Sequence, residues 1–154
     1  MSREVVELRA GETARAWAAM RELRPHIGTP EEFAARVDEV QRPQGYRLVA
    51  TFEPGDDDAA AVAGFRVGDN LAWGRFLYVD DLVCRAALRR RGHARALLRW
   101  LTDEAARLGC DALHLDSGAG PDRFDAHAAY FAHGLRITSH HFAMPIGRGR
   151  AEGE

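Results

Sequence analysis

The chain has little cysteine, no long apolar run and no excess of positive charge. Its two cysteines, Cys84 and Cys110, stand far apart and form no C-x-x-C pair. They read as reduced, buried thiols of a cytoplasmic protein rather than as a disulfide framework. No apolar stretch approaches the length that spans a bilayer, and Met1-Ser2-Arg3-Glu4 leads into none. A membrane partner is therefore not expected. The formal net charge of -2 argues against a general nucleic-acid binder, which carries a basic excess. Internal repeats and linkers are also missing, so 154 residues predict one domain, residues 1–147, followed by a polar tail, 148–154.

Apolar residues make up 46% of the chain, enough for a packed core. Val5 to Leu8 reads as a strand, and Thr13 to Leu23 as a helix stopped by Pro25. Thr29-Pro30-Glu31-Glu32 is a helix start, with Thr29 as cap and Pro30 at the first helical position. Phe33, Val37 and Val40 then form one stripe. Tyr46 to Phe52 and Ala60 to Val67 read as a hairpin with a charged tip, and Gly68-Asp69-Asn70 as a tight turn. Leu71 to Cys84 is a long strand. Arg90 to Leu108 is an amphipathic helix with Leu97, Leu98 and Leu101 on one face, and Gly109 ends it. Ala112 to Asp116 is a strand, Asp122 to Ala132 a short helix, and Leu135 to Ile146 strand-rich. The pattern predicts an α/β (α+β) fold, a mixed sheet with helices on its faces.

Between the long strand and the best helix lies Leu88-Arg89-Arg90-Arg91-Gly92-His93-Ala94-Arg95. A helix N-terminus has free N–H groups and a partial positive charge, which suit a pyrophosphate. Gly92 and Ala94 keep the backbone approachable. Cations at a helix start are disfavoured by roughly 0.3–1 kcal/mol each, so three arginines there call for an anion. The competing reading is a solvated helix start or a small nucleic-acid patch.

These residues carry a resemblance. Arg89-x-x-Gly92-x-Ala94, after the strand Asp81-Leu82-Val83-Cys84, resembles motif A of the GNAT N-acetyltransferase superfamily, R/Q-x-x-G-x-G/A. Ala126-His127-Ala128-Ala129-Tyr130-Phe131-Ala132-His133-Gly134-Leu135 resembles its motif B, A-x-x-F-Y-x-x-x-G-F. The resemblance spans residues 46 to 146. It implies a mixed, mostly antiparallel GNAT-type sheet and acetyl-CoA as co-substrate. It also implies an N-acetyltransferase acting on a small-molecule or peptide amine, and leaves a homodimer open. The backbone of Leu82, Val83 and Cys84 would pair with the pantetheine arm. Residues Arg89, Arg90, Arg91, Gly92, His93, Ala94 and Arg95 would hold the pyrophosphate. Arg123 stands where many relatives carry asparagine, and could reach a phosphate or an acidic substrate. Ala129 replaces the usual phenylalanine.

Acetyl transfer to an amine needs an acid for the leaving thiolate and a base for the amine. Tyr130 matches the family's tyrosine acid, the alternative being an aromatic that packs its helix. Asp81, then Asp80, are the base candidates, since carboxylates in an apolar strand need hydrogen bonds, solvent or a function. Neighbouring strand positions face opposite ways unless the strand bulges, as it does in this family. The competing reading is an ion pair with an arginine. Asp116 and Ser117 are secondary candidates. His127 could tune Tyr130 or simply face solvent. The family's acceptor pocket is shaped by the N-terminal helices and the loop after Phe52. None of the seven histidines shows ligand spacing, so no metal is expected. A non-catalytic acyl-CoA-binding or regulatory module is the alternative function.

Overall fold

The computed structural model describes residues 3–147. A five-stranded sheet runs in sequence order: β1 (Val6–Leu8), β2 (Arg47–Thr51), β3 (Ala61–Asn70), β4 (Gly74–Cys84) and β5 (Ala112–Leu115). Pairing is antiparallel until β4, which pairs with β5 in parallel. A parallel pair needs a crossover, and the helix α3 (His93–Arg107) supplies it. The helices α1 (Trp17–Leu23) and α2 (Pro30–Arg36) lie between β1 and β2, and α4 (Phe124–His133) follows β5. Thr29 caps α2 by accepting a hydrogen bond from the Glu32 N–H, with Pro30 at the helix start.

The period-two pattern of the strands divides the core between two faces. Val49, Ala63, Phe65, Leu77 and Val79 pack with Leu97, Leu98 and Leu101 of α3. Leu48, Ala50 and Val62 pack with Met20 of α1 and with Phe33 and Val37. Each large side chain among these stabilises the fold by about 1.5–3 kcal/mol through burial. Arg47 joins the layers, holding Glu7 on β1 at 2.8 Å and Glu104 on α3 at 2.8 Å.

The structure moves several boundaries. β3 and β4 pair out to Asn70 and Gly74, so the hairpin turn is at residues 71–73, not 68–70. The Asn70 side chain accepts the Trp73 N–H at 2.6 Å and closes that turn. The crossover helix starts at His93 rather than Arg90, because Arg90 (φ 63°) and Gly92 (φ 86°) are left-handed and cannot be helical. Cys84 and Cys110 are unpaired but only half-buried. Leu135 packs on the core, yet no strand forms across residues 135–147. Its alternation suits a strand, but a strand needs a hydrogen-bonded neighbour, and Ile137, Phe142, Met144 and Ile146 lie exposed. The polar tail, 148–154, is outside the described residues. No described helix is long and apolar enough to cross a membrane.

Candidate active site

The site lies where β4 and β5 part. Their pairing ends at Val79 and Leu115, while β4 runs on to Cys84. Along Leu82 to Cys84 one edge of β4 pairs with Ala63, Val62 and Ala61 of β3. Its other edge has no strand beside it among the described residues and faces a cleft of about 370 Å³. Unpaired backbone N–H and C=O groups on a strand edge are a template for an extended ligand with amide groups.

The same cleft is lined by Arg89, Arg90, Gly92, His93, Ala94 and Arg95 of the turn into α3. The first N–H groups of α3 have no intrahelical acceptor, and among the described residues no side chain caps them. A β-carbon on Gly92 would meet nothing within 4 Å, but φ of 86° makes any side chain there strained. Arg91 is the one member of the predicted set that does not line the cleft. Its guanidinium turns to Glu53, at 3.0 Å. The loop after Phe52, expected at the acceptor pocket, thus sends Glu53 to the turn. Hydrogen bonds from Arg3 first, then from His93 and Arg91, hold that carboxylate down at about 2.

Across the cleft stands α4, whose Arg123 flank, Asp125, Ala126, Ala129 and Tyr130 complete the wall. Tyr130 is 9% exposed and its ring packs into the α3-side core. Phe131, the alternative packing aromatic, is instead 54% exposed. So Tyr130 packs its helix and also lines the cleft, with its hydroxyl beside Arg123. Burial raises the phenol above its ordinary range, and the neighbouring Arg123 pulls it back. Arg123 Nη2 lies 3.4 Å from Tyr130 Oη and Nε lies 3.4 Å from Ser117 Oγ. His127 reaches Ser117 at 3.0 Å rather than Tyr130.

A second hollow of about 290 Å³ adjoins the first and shares Leu82, Asp122, Arg123 and Tyr130 with it. Leu23 and Arg24 at the end of α1, Asp80, Asp116, Ser117 and Gly118 also line it. Of the two base candidates Asp80 lines this hollow and Asp81 does not, and β4 bulges at this point. Gly64 faces Asp81 and Phe65 faces Val79, which leaves Asp80 as the extra residue. The bulge lets both carboxylates find partners on the face that carries Gly64 and Arg66. Asp80 is held by both arms of Arg66 at 2.8 Å. Asp81 takes a hydrogen bond from Arg24 Nε at 3.0 Å and from Tyr46 Oη at 2.9 Å. Arg24 also donates to the Asp80 carbonyl at 3.1 Å. Both aspartates are therefore ion-paired, the competing sequence reading, and Asp80 still lines the hollow. Asp116 is engaged by the Tyr78 hydroxyl and lies 3.6 Å from His141.

Sequence reasoning missed Arg24, Tyr46 and Glu53. Each comes from a segment distant in sequence from the strand or turn it serves, and no local pattern links them. Among the described residues no group of histidine, cysteine and carboxylate side chains could hold a metal.

Comparison with known proteins bears on this geometry. Residues 14–135 match the family model described as Acetyltransferase (GNAT) family. The chain is 29% identical over 136 residues to "Uncharacterized N-acetyltransferase YhdJ" of Bacillus subtilis (strain 168), covering 88% of this chain and 92% of that protein. Its fold is similar to glucosamine-6-phosphate N-acetyltransferase from Arabidopsis thaliana, with TM-score 0.74 at 16% identity, over 96% of this chain and 100% of that one. It is also similar to the aminoglycoside N-acetyltransferase AAC(6')-Iy solved in complex with CoA, with TM-score 0.70 at 15% identity, over 96% and 94% of the two chains.

Proposed function

The chain belongs to the acetyltransferase (GNAT) family and is an acyltransferase, and from that premise we propose that it moves the acetyl group of acetyl-CoA to a primary amine by direct attack. One observation carries the reading: the unpartnered edge of Leu82–Cys84 runs into an uncapped helix start, with Tyr130 on the facing wall. The strand edge suits the amides of a pantetheine arm, and the N–H groups around Gly92 to Arg95 suit a pyrophosphate. Acetyl-CoA, when bound, supplies an activated acyl group on a thioester.

The protein's own residues then have separable tasks. Tyr130 holds a proton at Oη for the departing sulfur. Arg123 donates to that oxygen, so the phenolic hydrogen stays free to point into the cleft. The adjoining hollow admits the acceptor, and its carboxylates favour a cationic amine arriving from water. The amine must lose a proton before it attacks. Asp81 is assigned to take it through water, with Asp80 the second candidate. Arg24 and Tyr46 fix the orientation of Asp81. Arg89, Arg90 and Arg95 add positive charge at the mouth of the cofactor cleft, and Arg123 spans the boundary between donor and acceptor.

Release of free thiol from acetyl-CoA across a panel of small and peptide amines tests the proposal. At least one amine should accelerate release in proportion to enzyme. A protein that binds no CoA ester by calorimetry would remove the reading altogether.

A further inference from the structure

Glu53 opens the loop after β2 and faces the turn into α3. Its Oε1 accepts from Arg91 Nη1 at 3.0 Å and lies 3.3 Å from His93 Nε2. Its Oε2 accepts from Arg3 Nη1 at 2.9 Å. Arg3 donates a second time, through Nε to the carbonyl oxygen of Arg91 at 3.0 Å. His93 is 1% exposed, and its Nδ1 lies 2.9 Å from Thr51 Oγ1. A carboxylate only accepts, so in the neutral ring Nε2 carries the proton and Nδ1 accepts from the Thr51 hydroxyl. One carboxylate therefore grips the residues on both sides of Gly92.

That stretch of backbone needs holding. Arg90 has φ 63° and is the one non-glycine residue with positive φ among those described. An L side chain takes that conformation only when its surroundings enforce it. Gly92 adds a second left-handed residue at φ 86°. The contacts of Glu53 also explain why Arg91 is turned from the cleft although it belongs to the basic run.

We infer that Glu53 is a positioning residue for the acyl-donor site, clamping Arg3, Arg91 and His93 so that the backbone of residues 90–93 keeps the shape that receives a diphosphate. The inference rests on the acyl-CoA reading for its ligand, and on the contacts above for the clamp. Glu53 touches no reacting atom in this scheme. Its effect is on donor binding rather than on the transfer step.

The test uses Glu53→Gln in the full chain, which keeps the shape of the side chain and removes its charge. Amide hydrogen exchange at Ala96, whose N–H donates to the Gly92 carbonyl at 3.1 Å and so closes the turn, should quicken by about tenfold in the free protein, while amides of β3 and mid-α3 hold their rates. The calorimetric Kd for CoA should rise by about tenfold, and KM for acetyl-CoA with it, while kcat at saturating donor stays within about twofold. Unchanged exchange at the turn, or a loss in kcat with KM unmoved, would overturn the inference. Uniformly faster exchange across the sheet would also overturn it, since that marks general destabilisation. If the unaltered protein binds no CoA, the acyl-CoA reading fails, and the exchange comparison alone decides whether Glu53 holds the turn.

Discussion

The hydroxyl of Tyr46 donates to the carboxylate of Asp81 at 2.9 Å, through space that exists because residue 64 is glycine. A β-carbon at position 64 would collide with the phenol ring and its oxygen. The ring is 4% exposed and cannot step aside without moving the α1–α2 core. Gly64→Ala should therefore cost about 1–3 kcal/mol, the usual penalty for overfilling a packed interior. Urea unfolding would show it as a lower midpoint at unchanged slope. Since Asp81 loses its partner in the same event, the transfer rate should fall as well.

Tyr130→Phe separates the acid from the packing role. The ring stays, so the core contacts with α3-side residues stay, and only the hydroxyl next to Arg123 is lost. The transfer rate should drop by about 10²-fold, the lower end for a general acid. CoA affinity and the thermal midpoint should hardly move. A rate equal to that of the unaltered enzyme would assign proton delivery to another group or to water.

The two aspartates on the bulge can be told apart by their partners. Asp81 is tied to Arg24 and Tyr46, whereas Asp80 is tied to Arg66, whose side chain is 49% exposed. Asp80→Asn breaks a solvent-screened pair and should cost no more than about 1 kcal/mol of stability. If Asp81 is the base, Asp81→Asn should lower kcat by about 10²-fold or more, and Asp80→Asn by far less. Initial rates of both variants, with circular dichroism to verify folding, make the comparison. The reverse order of rates would move the base to Asp80.

The parts of this site legible in sequence are those built from one contiguous segment. Leu82 to Cys84, Gly92 to Arg95 and Tyr130 are set by strand, turn and helix signals within a few residues. The bulge that turns Asp80 and Asp81 onto one face depends on register with Gly64 and Phe65 of β3. The Arg24–Asp81 pair spans 57 positions and the Arg91–Glu53 pair 38. Side chains so separated leave no periodic trace. Residues 135–147 mislead for a related reason: alternation records the capacity to form a strand, while strand formation requires a free neighbouring edge in reach. Arg91 shows the limit of charge counting, because its sequence neighbours face the cleft and its own partner is Glu53.

Burial fixes the pH dependence of stability near neutrality through His93. Its ring lies between Thr51 and Glu53, and desolvation depresses its pKa below the ordinary histidine value even though Glu53 pulls upward. In the unfolded chain it titrates at about 6.5. As pH falls through that value, the unfolded state binds a proton that the folded state refuses, so stability falls with pH. The loss continues until pH reaches the depressed folded value and then levels off. His114, stacked on Trp73, is depressed by burial and acts in the same direction. Glu53 extends the decline at lower pH, since its folded value of about 2 lies below that of a free glutamate. Urea midpoints at pH 8, 6.5 and 5.5 should therefore decrease in that order. His93→Asn lowers the midpoint at pH 8 by removing buried contacts, but it also removes one titrating group, so its midpoints should converge towards those of the unaltered protein at pH 5.5. Parallel lines for the two proteins would show that His93 takes up its proton as readily folded as unfolded.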